Sequence, residues 1–188
     1  MNAKTLFDYI AYFEDLWQKN KLAQTNNFKF CTCSGIESLQ GPLQQFRTTN
    51  AFFCVEDTAD GITFRGTNGG WFKRRTITVF LLRRFNIKMM SDYQEALSLC
   101  RDLFQQLHSR MLIDEDDLSN DMVYLRTESL LSRELGRYFL NGCTGLYFMV
   151  EVSEPVDLTY DDSLWQDIDT TVDPIEEPIE EPTNETYG

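Results

Sequence analysis

The sequence predicts an α+β fold: a mostly antiparallel sheet of about five strands, packed on one face by two main helices and followed by a disordered acidic C-terminal tail. Three observations carry this reading. Segments 3–19 and 91–112 repeat apolar residues at helical spacing, several others alternate with a period of two or run apolar on both faces, and residues 166–188 contain no base and little to bury. The chain has 188 residues, 42% apolar and 25% charged, which suits one globular domain over 1–165. At this length a core buries roughly 70% of the surface exposed by the unfolded chain, so the fold needs no disulfide or metal.

Leu6, Tyr9, Ile10, Phe13, Leu16 and Trp17 follow the i, i+3, i+4, i+7 pattern of a one-faced amphipathic helix, with Asn2 as its cap and Lys19, Asn20 and Lys21 at its end. FKFCTCS from Phe28 alternates as a first strand, and Cys31 and Cys33 share one of its faces. Between Ser34 and Asn50, Gly41 and Pro42 leave room only for a loop with a helical turn near Leu43–Phe46. AFFCVED (51–57) reads as a second strand, with Asp60 and Gly61 turning a hairpin into ITFRG. Asn68, Gly69 and Gly70 make a further turn. The run WFKRRTITVFLLRRF from Trp71, apolar on both faces between Ile77 and Leu82, reads as a central strand.

Ser91 with Gln94 forms a capping box and starts a second helix. Its buried stripe is Ala96, Leu97, Cys100, Leu103, Phe104, Leu107 and Met111, and it ends near the acidic run Asp114–Asp117, read as a solvated loop. Two more strands lie between Met122 and Val156. In the second, Leu146, Phe148, Val150 and Val152 share a face, and Pro155 closes it.

Charge is distributed very unevenly. The formal net charge is −13, yet residues 1–137 hold all seventeen bases and seventeen acids, so the excess lies wholly beyond Arg137. A neutral body with an acidic end cannot bind DNA by counterion release, so free nucleic acid is not an expected partner. The tail carries the near-repeat PIEEPIEEP. Such a segment cannot offset its ordering entropy by apolar burial. Extended docking through Ile175 and Ile179 is the functional alternative there.

The five cysteines lack the two-residue spacing of a zinc or redox pair, and with His108 the single histidine, they read as buried apolar residues of a reducing compartment. His108 itself reads as a boundary histidine. A consecutive acidic run cannot converge on one ion, so no metal site and no cofactor are expected. No P-loop, dinucleotide fingerprint, nucleophile elbow or H-E-x-x-H occurs, and the sequence is read as non-enzymatic, with a carboxylate-based hydrolase or nuclease as the competing class. The polar, acid-containing N-terminus resembles no signal peptide and no apolar run reaches membrane-spanning length, so no membrane contact and an intracellular location are expected.

The element order and the segment YFLNGCTGLYFMVEVSEPVDLTYDDSLW (138–165), with its turn, strand and Tyr/Trp ending, resemble tailed-phage tail-completion and tail-terminator proteins. The resemblance covers most of 1–165; the proline-bearing acidic tail departs from it. It implies a small α+β domain whose protomers form a ring that caps the tail tube and meets the head connector. Assembly would take place in the bacterial cytoplasm, and the product would reside in the virion tail. The family has no catalytic motif to transfer. The contacts it suggests with a neighbouring subunit or the tube are the bases Lys73, Arg74, Arg75, Arg83, Arg84 and Lys88 and the loop glycines Gly69 and Gly70. A binding module of a mobile element, whose acidic tail engages a basic partner, is the alternative.

Overall fold

A computed structural model describes residues 6–45, 47–67, 69–137, 139 and 142–166. The expected disordered tail therefore lies almost wholly outside the described residues. Contacts divide the chain after Asp157, earlier than the expected limit at 165, into units Met1–Asp157 and Leu158–Gly188.

The first unit is α+β. Helices α1 (Tyr9–Lys19) and α2 (Lys21–Thr25) precede strand β1 (Phe28–Cys33). A 3₁₀ turn (Ile36–Leu39) and α3 (Gln40–Gln45) lead to β2 (Ala51–Glu56), β3 (Asp60–Gly66) and β4 (Gly69–Arg84). The long α4 (Met90–Asn120) is followed by β5 (Tyr124–Leu135) and β6 (Cys143–Pro155). The strands form a six-stranded sheet, one more than the sequence suggests, in the order β1-β2-β4-β6-β5, with β3 also paired to β4. Only β1 and β2 are parallel. Their connection runs through the 3₁₀ turn and α3, because parallel neighbours need a crossover of a dozen or more residues.

The sixteen-residue β4 is the axis of the sheet. Its far half (Val79–Arg83) pairs with β2, its near half (Gly69–Thr76) with β3, and nearly its whole length with β6. Asp60 and Gly61 therefore do not turn a hairpin. They are the first residues of β3, opposite Thr76 and Arg75. The hairpin closes at Gly66 opposite Gly69, and Gly69 and Gly70 hold φ of 93° and 63°, which side-chain-bearing residues avoid. Gly145 of β6 is required for another reason. A Cβ there would lie 1.9 Å from the Leu81 carbonyl oxygen.

Alternation along the strands gives the sheet two faces. On the helix face, Phe53, Val55, Ile77, Val79, Leu81, Phe148 and Val150 meet Phe13 and Leu16 of α1 and Cys100, Leu103, Leu107 and Met111 of α4 in the main core. Both main helices therefore share one face, as the sequence predicts. On the opposite face a smaller core joins Leu39 and Leu43 to Cys33, Phe52, Cys54, Phe80, Leu82, Leu135 and Cys143.

Three helix boundaries differ from their sequence signals. The expected cap Asn2 lies outside the described residues, and α1 begins only at Tyr9, with the Asp8 carboxylate accepting from the Ala11 amide. Ser91 lies inside α4, whose N-cap is Met89, so the capping box does not form. Asp92 instead accepts the Asn86 amide. The acidic run is no loop. It continues α4 to Asn120, and Asp114 extends the stripe of Leu107 and Met111 into the interior.

Of the second unit, residues 158–166 are described. They hold a 3₁₀ turn (Asp162–Leu164) whose Ser163 amide is capped by Asp161, with Tyr160 and Trp165 stacked at 6.2 Å.

Candidate protein interface

The small core under the 3₁₀ turn and α3 covers only part of the sheet's second face. Towards the β3–β4 hairpin no helix among the described residues is packed on it, and the alternate residues of β3, β4, β5 and β6 stand out from the sheet. In register they are Ile62 with Arg74, Phe64 with Phe72, Tyr124 with Ser153, and Arg126 with Glu151. Phe64 and Phe72 stack at 5.9 Å, and Tyr124 follows Phe72 at 6.1 Å, so one aromatic row crosses from β3 to β5. The row lines a shallow hollow of about 350 Å³ with Gly66, Gly69 and Ser153. Ile62 is 67% exposed and Leu131 59% exposed at its margins.

Charges tie the row together. The Arg74 guanidinium lies 4.8 Å above the Phe64 ring and 3.8 Å from Glu151, which Arg126 also reaches at 3.0 Å. Exposed ion pairs of this kind contribute about 0–1 kcal/mol to folding. Aromatic side chains and arginine next to uncovered apolar area are what protein interfaces enrich in, however. Each of β3 and β5 also has one ladder edge with no neighbour among the described residues, a template for further pairing.

The six bases singled out by sequence do not form one patch. They divide between the two ends of β4, which spans about 50 Å at strand rise, and between both faces of the sheet. Arg75 is consumed internally: it lies on the helix face, donates to the Phe7 carbonyl at 2.7 Å, pairs with Glu154 at 2.6 Å and lies 5.1 Å from the Tyr9 ring centre. Glu154 in turn accepts the Phe7 amide. Arg84 is equally internal, donating to the carbonyls of Thr49 and Leu43 over the Phe52 ring. Lys73 and Arg83 are half-buried on the helix face, and Lys88 is exposed in the β4–α4 connection. Of the six, Arg74 alone stands in the aromatic row, while Gly69 and Gly70 shape the hairpin beside it.

Other chemically suggestive groups have structural partners. His108 stacks on Phe104 and its Nε2 lies 2.9 Å from the Thr127 carbonyl oxygen. A carbonyl only accepts, so Nε2 carries the proton. Asp114 accepts from the Tyr12 hydroxyl at 3.0 Å and pairs with Arg110 at 2.7 Å, clamping α1 to α4. Burial and the neighbouring Asp114 carboxylate push the Tyr12 phenol well above its usual value. Among the described residues no group of three or more His, Cys, Asp or Glu side chains could hold a metal ion, and no helix is long and apolar enough to cross a membrane.

Sequence reasoning missed three features: the aromatic row, the buried Arg75–Glu154 pair and the Tyr12–Asp114 clamp. The last two had a signal, since Asp114 and Glu154 continue the apolar series 107, 111 and 148, 150, 152. The row had none, because it gathers residues from strands up to sixty positions apart. No protein-family model matches the chain, and a search of curated proteins finds no match to it.

Proposed function

We propose that this chain is a structural assembly protein that works by contact with copies of itself, without catalysis. The aromatic row at the β3–β4 hairpin end would be one of its two contact surfaces. The carrying observation is that row: half-buried Phe64 and Phe72 leading to exposed Tyr124, with exposed Ile62 beside them, on a part of the sheet that neither core covers. A closed ring needs two different complementary patches on each protomer. The free ladder edges of β3 and β5 supply the second kind of surface. The resemblance to tail-completion and tail-terminator proteins supports a particular setting, the end of a phage or prophage tail, with the tail tube or head connector as further partner.

Sedimentation and negative-stain imaging of the full chain test this reading. The expected result is a closed homo-oligomer in the wild type and a smaller species in Ile62→Asp with its fold intact. A monomer at every concentration overturns it. The acidic residues of 166–188, eight with no base, favour a second reading, capture of a basic partner. Removal of that segment leaves the oligomer unchanged on the first reading and abolishes partner binding on the second.

A further inference from the structure

Four of the five cysteines stand on the same face of the sheet, the one opposite the main helices: Cys31 and Cys33 on β1, Cys54 on β2 and Cys143 on β6. Alternation puts them there, and register then separates them. Cys31 is the direct partner of Cys54 across the parallel β1–β2 ladder, whereas Cys33 lies opposite Glu56. Neighbouring strands run about 4.8 Å apart, inside the 4.4–6.8 Å range of Cα separations that a disulfide bridges. The Cys31 and Cys54 sulfur atoms approach to 2.8 Å, and both residues are free thiols. Cys143 is separated from Cys54 by the whole of β4 and is out of reach, and Cys100 lies on the other face of the sheet.

We propose that Cys31 and Cys54 form a reversible oxidation site, closing to a disulfide across β1 and β2 when a hydroperoxide reaches Cys31. The two thiols have different roles. Cys31 is half-buried and reachable, while Cys54 is fully buried behind it. The hydrogen bond from Cys54, helped by the charge of Lys29, holds the Cys31 thiol below its ordinary value. The same contact, together with burial, raises Cys54. Cys33 and Cys100 are pushed up to about 12 by burial and stay protonated.

The chemistry balances in two steps. Cys31 sulfur attacks a peroxide oxygen; the S–O bond forms as the O–O bond breaks, and the thiol proton leaves with the departing hydroxide as water. Cys54 sulfur then attacks the sulfenic sulfur, the S–S bond replaces the S–O bond, and the second proton leaves with hydroxide as a second water. Two thiols lose two electrons and two protons, and one peroxide becomes two waters. The product ties β1, which among the described residues pairs only with β2, to the interior of the sheet.

The test uses the full chain, reduced, freed of reductant and treated with a few equivalents of hydrogen peroxide. Titration after denaturation is expected to fall from five thiols to three, with a mass loss of two hydrogens that dithiothreitol reverses. The oxidised form should unfold at higher denaturant concentration. Trypsin leaves Cys31 and Cys33 together in peptide 30–47 and Cys54 in 48–65, so Cys33→Ser assigns the bond: the same two peptides stay joined. Cys31→Ser, at a half-exposed position, should lose the reaction by at least ten-fold. Cys54→Ser should stop at a sulfenic acid on Cys31 that dimedone traps. Five persisting thiols, a bond to the peptide of Cys100 or Cys143, or wild-type bond formation in Cys31→Ser would overturn the proposal.

Discussion

The two faces of the sheet are built from the same strands by the same alternation, yet they are finished differently. On one, β-branched and aromatic residues of β2, β4 and β6 are sealed by α1 and α4; on the other, α3 and a 3₁₀ turn seal one part and leave Phe64 and Phe72 half-buried and Tyr124 exposed. The buried side chains of the first face are explained by folding alone. Those of the row are not, since half-buried Phe64 and Phe72 and exposed Tyr124 each forgo part of the roughly 1.5–3 kcal/mol that full burial would return. This incomplete burial is what the proposed contact role would explain.

Substitutions on the two faces should therefore differ in kind. Phe148→Ala, at the centre of the helix face and fully buried, is expected to cost about 3–5 kcal/mol in chemical denaturation. Ile62→Asp, at the margin of the open part, should change stability by no more than about 0.5 kcal/mol while reducing oligomer mass. Equal costs at the two sites would erase the distinction between the faces.

Next in size is the buried pair at the hairpin end of the helix face. The side chains of Arg75 and Glu154 are only 11% and 4% exposed, and removing one partner leaves a buried charge. Arg75→Met is expected to lose about 3 kcal/mol and to release the segment around Phe7. Arg75→Met with Glu154→Gln should recover part of that loss. Full additivity of the two substitutions would show that the pair is not coupled.

A smaller effect comes from Tyr12. Its phenol titrates higher in the folded protein than in the unfolded chain, because burial and Asp114 disfavour the phenolate. The folded state therefore holds this proton more tightly. The contribution is complete below about pH 10 and declines as pH rises above it. Tyr12→Phe should cost about 1 kcal/mol at neutral pH and flatten the alkaline loss of stability, read from denaturation midpoints between pH 8 and 11. An unchanged alkaline limb would place that titration elsewhere.

How much of this was legible in the sequence depends on range. Phe13 and Leu16, the stripe from Ala96 to Met111, and the series Leu146 to Val152 all fall where their periodicity puts them, because a local pattern decides which side of an element is apolar. The start of α1 did not follow, because the backbone of Phe7 is held by Arg75 and Glu154, residues 68 and 147 positions away. The Asp60–Gly61 signal failed for a related reason: β4 is long enough to serve β2 with one half and β3 with the other, so β2 and β3 never pair. Ser91 lost its capping role to the loop before it, where Asp92 accepts the Asn86 amide. The aromatic row and the Cys31–Cys54 approach depend on strand order and register, which no local window contains.

Hydrogen–deuterium exchange of the full chain as a function of protein concentration tests the contact role of the open face most directly. Amides around Phe64, Phe72 and Tyr124 are expected to slow as concentration rises, while those of α1 and α4 stay constant. Exchange at the aromatic row that is indifferent to concentration, with protection appearing over α1 or α4 instead, would contradict the account.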